Sequence, residues 1–269
     1  MCMILLACST LDPASENAAR YLISEFGMED CGNGSYRLGN ISLELLSTSL
    51  TFADSLDGRA CELIIFISRH SSAAGIPSLT VHAEGNWGDY AELGGRPRTL
   101  SVAAPSAMLC ALREFSAIET KMEKTYEATH HGPALKTPSM FIELGGNDMV
   151  VQDKSLTSEL GRVALSVAES AAEGSINSSA VALGIGGTHY PRKFTSMALS
   201  KGYAFSHIMP KHALSNPDGT TNLDMAVQAA ERSGAMPSIA VIDWKSMNSQ
   251  KRASFIKALA GIGIDYEKA

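Results

Sequence analysis

The chain has 269 residues, 45% hydrophobic and 19% charged, which is enough apolar material for a sizeable core and too much for wholesale disorder. No apolar run approaches the roughly 18 residues that cross a bilayer, so no membrane role is expected. A formal net charge of −6 argues against a protein that grips DNA or other nucleic acid by bulk charge, while leaving room for a local basic patch.

In chain order, the apolar segment 3–7 has no basic stretch before it and no cleavage site after it, and reads as a first strand rather than a secretion signal. A helix is expected over 13–26, with Asp12 as its N-cap and Pro13 in its first turn, both favoured there. Strands follow over 63–68 and 79–82, then a glycine- and proline-rich stretch over 86–105 that reads as irregular loop. Periodicity predicts helices over 107–127 and 154–172, on either side of a strand at 140–144. Beyond these, strands are expected over 181–185, 203–208 and 239–244, and helices over 194–201, 222–233 and 250–260. Strands that are apolar nearly throughout are covered on both faces. The pattern therefore predicts an α/β fold, a three-layer α/β/α sandwich with a mostly parallel or mixed sheet, built as one domain over residues 1–269. Five scattered cysteines (Cys2, Cys8, Cys31, Cys61 and Cys110) suit reduced thiols in a cytoplasmic protein better than a disulfide framework.

The chemistry-bearing residues gather at turns. The apolar run ending at Ile185 gives way to Gly186, Gly187 and then His189, the arrangement by which α/β enzymes place polar groups at the carboxyl edge of a sheet. His130 and His131 form a second such turn, just before the strand that carries Glu143. His70 and His82 end two further strands, and His207 lies within another. Imidazole serves as a general base near neutral pH or as a zinc ligand. A lone histidine at a strand end is more often a hydrogen-bonded structural residue, and that reading is favoured for His82 and His212. For His189 and His131 the neighbouring glycines favour function, because they let substrate or backbone approach closely. Being adjacent, His130 and His131 diverge on regular structure, so only one faces a site unless the turn bends both inward. Glu143 sits among Met140, Phe141, Ile142 and Leu144, where a carboxylate is costly unless paired, metal-bound or turned to solvent. The glycine turns, Gly186 and Gly187 included, offer backbone amides to an anion, and Arg192, Lys193 and Lys211 supply cations near the same edge. There is no G-x-S-x-G elbow, no P-loop and no H-E-x-x-H helix, so any metal would be held by histidines and carboxylates from different strands.

An ordered set of these segments resembles one family. It runs from Ser68-Arg69-His70-Ser71-Ser72 through Ser78-Leu79-Thr80-Val81-His82, Gly85-Asn86, Gly94-Gly95, His130-His131-Gly132-Pro133 and Phe141-Ile142-Glu143-Leu144-Gly145. It continues through Gly184-Ile185-Gly186-Gly187, His189-Tyr190, His207-Ile208, Pro210-Lys211 and Asp243-Trp244-Lys245. In order and spacing this resembles the D-aminoacyl-tRNA deacylases of archaeal and plant type, over roughly residues 60–246 at motif level. The chain departs from that pattern at Thr188, where the family often has glycine, and after Gly145, where no tryptophan follows. The resemblance implies a cytoplasmic, zinc-dependent hydrolase on a phosphorylase/peptidyl-tRNA-hydrolase-like sandwich, cleaving the ester between a D-amino acid and the terminal ribose of tRNA. It is expected to act as a monomer. On this reading His189, His131, His130, His70 and Glu143 are the catalytic candidates. His131, His189 and Glu143 are the candidate zinc ligands, and glycine-turn amides stabilise the oxyanion. Gly186, Gly187, Arg192, Lys193 and Lys211 would meet the tRNA acceptor end. The alternatives are a nucleoside phosphorylase-like enzyme or metal-dependent amidohydrolase acting on a small molecule, or a non-catalytic RNA-end or metabolite-binding module.

Overall fold

A computed structural model describes residues 3–71, 75–176 and 180–269; Cys2 and Ser72 lie outside them. The chain begins with β1 (Ile4–Ser9). Asp12 then caps α1 (Pro13–Glu25), its Oδ1 accepting from the amides of Ala14 at 2.9 Å and Ser15 at 3.4 Å. Next come β2 (Glu29–Gly32), β3 (Ser35–Leu38), β4 (Ile41–Leu46), β5 (Leu63–His70), β6 (Ser78–His82), β7 (Gly85–Asn86) and β8 (Thr99–Leu100). After α2 (Pro105–Ala117) follow β9 (Glu123–Tyr126), β10 (Ser139–Gly145), α3 (Asp148–Val151) and α4 (Lys154–Ala172). The last third holds β11 (Ala180–Ile185), α5 (Arg192–Lys201), β12 (Tyr203–Met209), α6 (Leu223–Glu231), β13 (Ile239–Ile242), α7 (Ser249–Ala260) and β14 (Asp265–Lys268).

The strands form a mixed eight-stranded sheet, β2-β3-β4-β1-β5-β10-β6-β9, and a parallel four-stranded sheet, β12-β11-β13-β14. Within the large sheet β4, β1, β5 and β10 run parallel, while β6 runs antiparallel to β10. Residues just past β9 stitch the two sheets together: Glu127 N–H donates to Val81 O at 2.9 Å, Ala128 N–H to His189 O at 2.9 Å and Thr129 N–H to Ile208 O at 3.0 Å.

Period-two alternation sorts each strand of the large sheet between two cores. Ile4, Leu6, Ile65, Ile67, Met140 and Ile142 face the helices α1, α2 and α4. Leu5, Ala7, Ile64, Phe66 and Phe141 face the other way, against Leu50 and Leu56 of two 3₁₀ turns (Leu50–Phe52 and Asp54–Leu56) and Ala53 between them. The Phe66 and Phe141 rings stack there at 4.6 Å, a contact worth about 0.5–1.5 kcal/mol beyond the area it buries. The small sheet has α2 and α5 on one face and α6 and α7 on the other. Among the described residues, no helix is long and apolar enough to cross a membrane.

One expected element is corrected. The helix predicted over 107–127 ends at Ala117, and residues 123–126 form β9 instead. The Glu- and Lys-rich run 119–124 has good helix propensity, but pairing of Leu79, Thr80 and Val81 with Lys124, Thr125 and Tyr126 overrides it. The antiparallel meander β2-β3-β4 and the short edge strand β14 had no counterpart in the sequence reading. The stretch read as loop over 86–105 is mostly irregular but contains the pair β7-β8.

Candidate active site

The alternation that builds the second core also builds the site. Continuing outward on the face of Ile64 and Phe66, β5 presents Ser68 and His70, and β10 presents Glu143 after Phe141. The parallel register sets Glu143 opposite Ser68, whose hydroxyl donates to Glu143 Oε1 at 2.6 Å. The antiparallel register of β6 sets His82 opposite Phe141, and the two rings stack at 5.1 Å. Glu127, one step past β9, lies fully buried among them.

Four imidazoles converge on the two carboxylates. His70 Nδ1 is 3.1 Å from Glu127 Oε1 and 3.3 Å from Glu143 Oε2. His82 Nε2 is 3.5 Å from Glu143 Oε2, His130 Nε2 is 3.7 Å from Glu127 Oε2, and His189 Nε2 is 2.8 Å from Glu127 Oε2. His131 joins through ring contacts at 4.3 Å to His130 and 5.0 Å to His82. Both members of the adjacent pair face the cleft because the turn bends sharply: His131 has φ +42°, a conformation that side chains other than glycine adopt at a cost. Gly132 then passes so close to Gly95 that a Cβ on it would fall 2.1 Å from the Gly95 nitrogen. A cleft of about 520 Å³ opens onto His70, His130, His131, Glu143 and His189.

Protonation follows from these contacts. Burial works against charge on His70, but the Glu127 and Glu143 carboxylates outweigh it and push the ring up to about 10, so it is an imidazolium at neutral pH. Burial alone would raise both carboxylates, yet the surrounding imidazoles hold Glu127 and Glu143 well below the usual range. Desolvation, reinforced by charge on His82, depresses His130 and takes His131 down to about 4. Both therefore stay neutral. His130 Nδ1 donates to Ala128 O at 2.8 Å and His131 Nδ1 to Gly132 O at 2.7 Å, so each turns an unprotonated Nε2 away from its backbone partner. Burial also works against charge on His82, but Glu143 outweighs it and raises this ring, whose Nδ1 lies 3.1 Å from Ala83 O.

The candidates from the sequence separate into two groups. His189, His131, His130, His70 and Glu143 come together, and with them His82, for which a structural role was favoured. The expected ligand trio of His131, His189 and Glu143 is not one of the close groups of ligand atoms among the described residues. Ligand atoms within 4.8 Å of one another belong instead to His82 with His130 and His131, to His70 with Glu127, His130 and His189, and to His82 with Glu127 and Glu143. The amides of Gly186 and Gly187 are also reassigned: they donate to Met209 O at 2.8 Å and Ser246 Oγ at 2.7 Å, which leaves neither free to hold an oxyanion. Arg192 is held by both oxygens of Glu123 at 2.8 Å and Lys193 by Asp243 at 2.6 Å, whereas Lys211 is exposed. His207 is a buried structural residue, its Nε2 3.1 Å from Ser101 O. Glu127 was missed because it fell in the predicted helix; its signal was a lone carboxylate among Tyr126, Ala128 and Thr129, three residues before the histidine pair.

A cleft at strand ends, walled by imidazoles and buried carboxylates, defines an α/β enzyme whose chemistry rests on proton transfer or on a bound cation. The D-aminoacyl-tRNA deacylase family matches over residues 57–267, and the chain belongs to it. A D-aminoacyl-tRNA deacylase of Pyrococcus horikoshii is 34% identical over 281 residues, covering 99% of this chain and all of that protein. One of Staphylothermus marinus is 39% identical over 222 residues, covering 77% and 79%. Among solved structures, a conserved protein of unknown function is 29% identical with a TM-score of 0.85, over 99% of this chain and 95% of that one.

Proposed function

We propose that this chain hydrolyses the ester joining a D-amino acid to the terminal ribose of tRNA, with the His/Glu cluster activating water. Family membership makes it a deacylase of D-aminoacyl-tRNA rather than a phosphorylase-like or amidohydrolase enzyme acting on a small molecule. The observation that carries the assignment of residues is the convergence of His70, His130 and His189 on one buried carboxylate, Glu127. His189 is 44% exposed in the cleft, and Glu127 beside it fixes the ring and balances the charge it gains on taking a proton from water. His70, held as an imidazolium between Glu127 and Glu143, offsets part of their charge beside the carbonyl oxygen on which negative charge develops.

The cluster also fits zinc. Nε2 of His70 and of His82 are buried without a hydrogen bond, although such atoms are costly to leave unsatisfied. His82, His130 and His131 would hold the ion, with Glu127 or Glu143 completing the set. Zinc bound there would lower the pKa of a water and polarise the ester carbonyl. The test is incubation with D- and L-aminoacyl-tRNA, with and without chelator, together with the metal content and melting temperature of the purified protein. The expected result is release of the D-amino acid alone, loss of release on chelation, and about one zinc or more per chain, falling in His130→Ala and His131→Ala. Deacylation that persists in folded His189→Ala and His131→Ala would overturn the residue assignment.

A further inference from the structure

The 520 Å³ cleft has an unusual wall. Leu11, Phe52 and Leu93 line it and are 65%, 57% and 63% exposed, so three large apolar side chains face water at one opening. They lie on three separate segments, the β1–α1 turn, a 3₁₀ turn and the 86–105 loop, so no single irregular loop accounts for them. Single exposed apolar residues need no explanation, but a cluster around an enzyme's cleft marks a ligand surface. Behind them, Leu50 and Phe141 continue the apolar surface inward to His131, whose ring meets Phe141 at 4.9 Å.

Asp12 lines the same cleft. Its Oδ1 caps α1, and its Oδ2 accepts one backbone hydrogen bond, from Arg69 at 2.7 Å. A carboxylate oxygen has room for a second donor. The wall carries both signs, Glu143 beside Arg69 and the His70 imidazolium, and with the α1 N-terminus occupied by its own cap the spare acceptor on Asp12 is the group a protonated amine would meet.

An aminoacyl ester has three distinct arms at its α-carbon: the carbonyl, a protonated amine and the side chain. We propose that this cleft is the aminoacyl subsite, with Leu11, Phe52 and Leu93 receiving the side chain and Asp12 the ammonium, while the ester carbonyl meets the His/Glu cluster. Three different contacts at fixed positions are the minimum that distinguishes one enantiomer from its mirror image. The assignment rests on the deacylase reading and adds a location for its stereochemical choice. Leu11, Phe52, Leu93 and Asp12 act as specificity-determining and positioning residues.

The test compares kcat/KM for D-phenylalanyl-tRNA and D-alanyl-tRNA, and for D-phenylalanyl-tRNA with free and N-acetylated amine. Phe52→Ala with Leu93→Ala is expected to reduce the phenylalanyl-to-alanyl ratio by roughly 10-fold or more, the range a hydrophobic pocket contributes. Asp12→Asn keeps a capping side chain, and is expected to narrow the preference for the free amine about 10-fold, the scale of a hydrogen bond to a charged group. Ratios are read because a merely structural loss lowers all substrates together. Ratios unchanged in active variants overturn the subsite and leave the deacylase reading intact. Wild-type protein that releases neither D-amino acid overturns both.

Discussion

His189 Nε2 stands 2.8 Å from Glu127 Oε2, so a turn that follows β11 of the small sheet meets a carboxylate that follows β9 of the large one. The backbone repeats the link, since Ala128 N–H donates to His189 O. The His/Glu cluster is therefore assembled across the junction of the two sheets, and Glu127 is the residue both halves share. Replacing it by glutamine preserves the shape and removes the charge that holds His70 and His189. Glu127→Gln is expected to lower kcat/KM for D-aminoacyl-tRNA by about 100-fold, the upper range for losing a group that orients active-site imidazoles. Near-normal turnover in a protein with unchanged circular dichroism would remove Glu127 from the centre.

How far the site could be read in advance depends on the kind of signal each residue carries. The clustered histidines were legible because glycine turns after apolar strands are a local pattern, although they do not meet as ends of parallel strands, since β6 and β9, which lead to His82 and His130, run antiparallel to β5 and β10. His82 was not, because its role comes from register: only pairing of β6 with β10 places its ring against Phe141 and beside Glu143. Glu127 was hidden by propensity, its neighbours 119–124 being good helix formers recruited into a strand by β6. The meander β2-β3-β4 is short and largely exposed, with little of the apolar alternation by which strands announce themselves. The occupied amides of Gly186 and Gly187 depend on Ser246 and Met209, partners no local spacing reveals.

Acid stability should depend on His207. The ring is fully buried, and burial, outweighing its bonds to Arg232 O and Ser101 O, takes it down to about 4. Because the folded pKa lies below the ordinary 6.5, the unfolded chain binds the extra proton, so stability rises with pH across this window and is lost as pH falls from 6.5 toward 4. The difference corresponds to roughly 3 kcal/mol. His207→Gln keeps a donor and an acceptor without titrating, and its urea midpoint is expected to fall less between pH 7 and pH 4 than that of the parent. Parallel pH dependence of the two midpoints would contradict this.

The turn that aims His131 leaves no room for a side chain at Gly132. A Cβ there would meet backbone on every side, at 2.1 Å from Gly95 N, 2.3 Å from Gly94 C and 2.5 Å from Thr51 O. None of these atoms moves without shifting a whole segment. Gly132→Ala is expected to cost roughly 3 kcal/mol or more in unfolding free energy and to lose most activity, because the displaced turn carries His130 and His131. A small stability change with full activity would mean that the three segments separate easily.

Contacts with the RNA should divide among the three basic candidates according to what already holds them. Arg192 is clamped in two bonds by Glu123, and Lys193 is bound to Asp243, so a phosphate must displace a carboxylate to reach either. Lys211 is exposed, and its backbone N–H donates to Gly187 O at 2.9 Å, which fixes it beside the turn that carries His189. Counterion release makes each phosphate contact visible as a change in salt dependence, about 0.7–0.9 in the slope of log affinity against log salt. Lys211→Ala is accordingly expected to raise KM for aminoacyl-tRNA several-fold at low salt and to flatten that slope by about one contact. Arg192→Ala is expected to move both much less, since it also releases Glu123 into the same neighbourhood. KM measured between 50 and 200 mM salt decides the matter, and a larger effect from Arg192 would place the RNA backbone on the Glu123 side of the cleft instead.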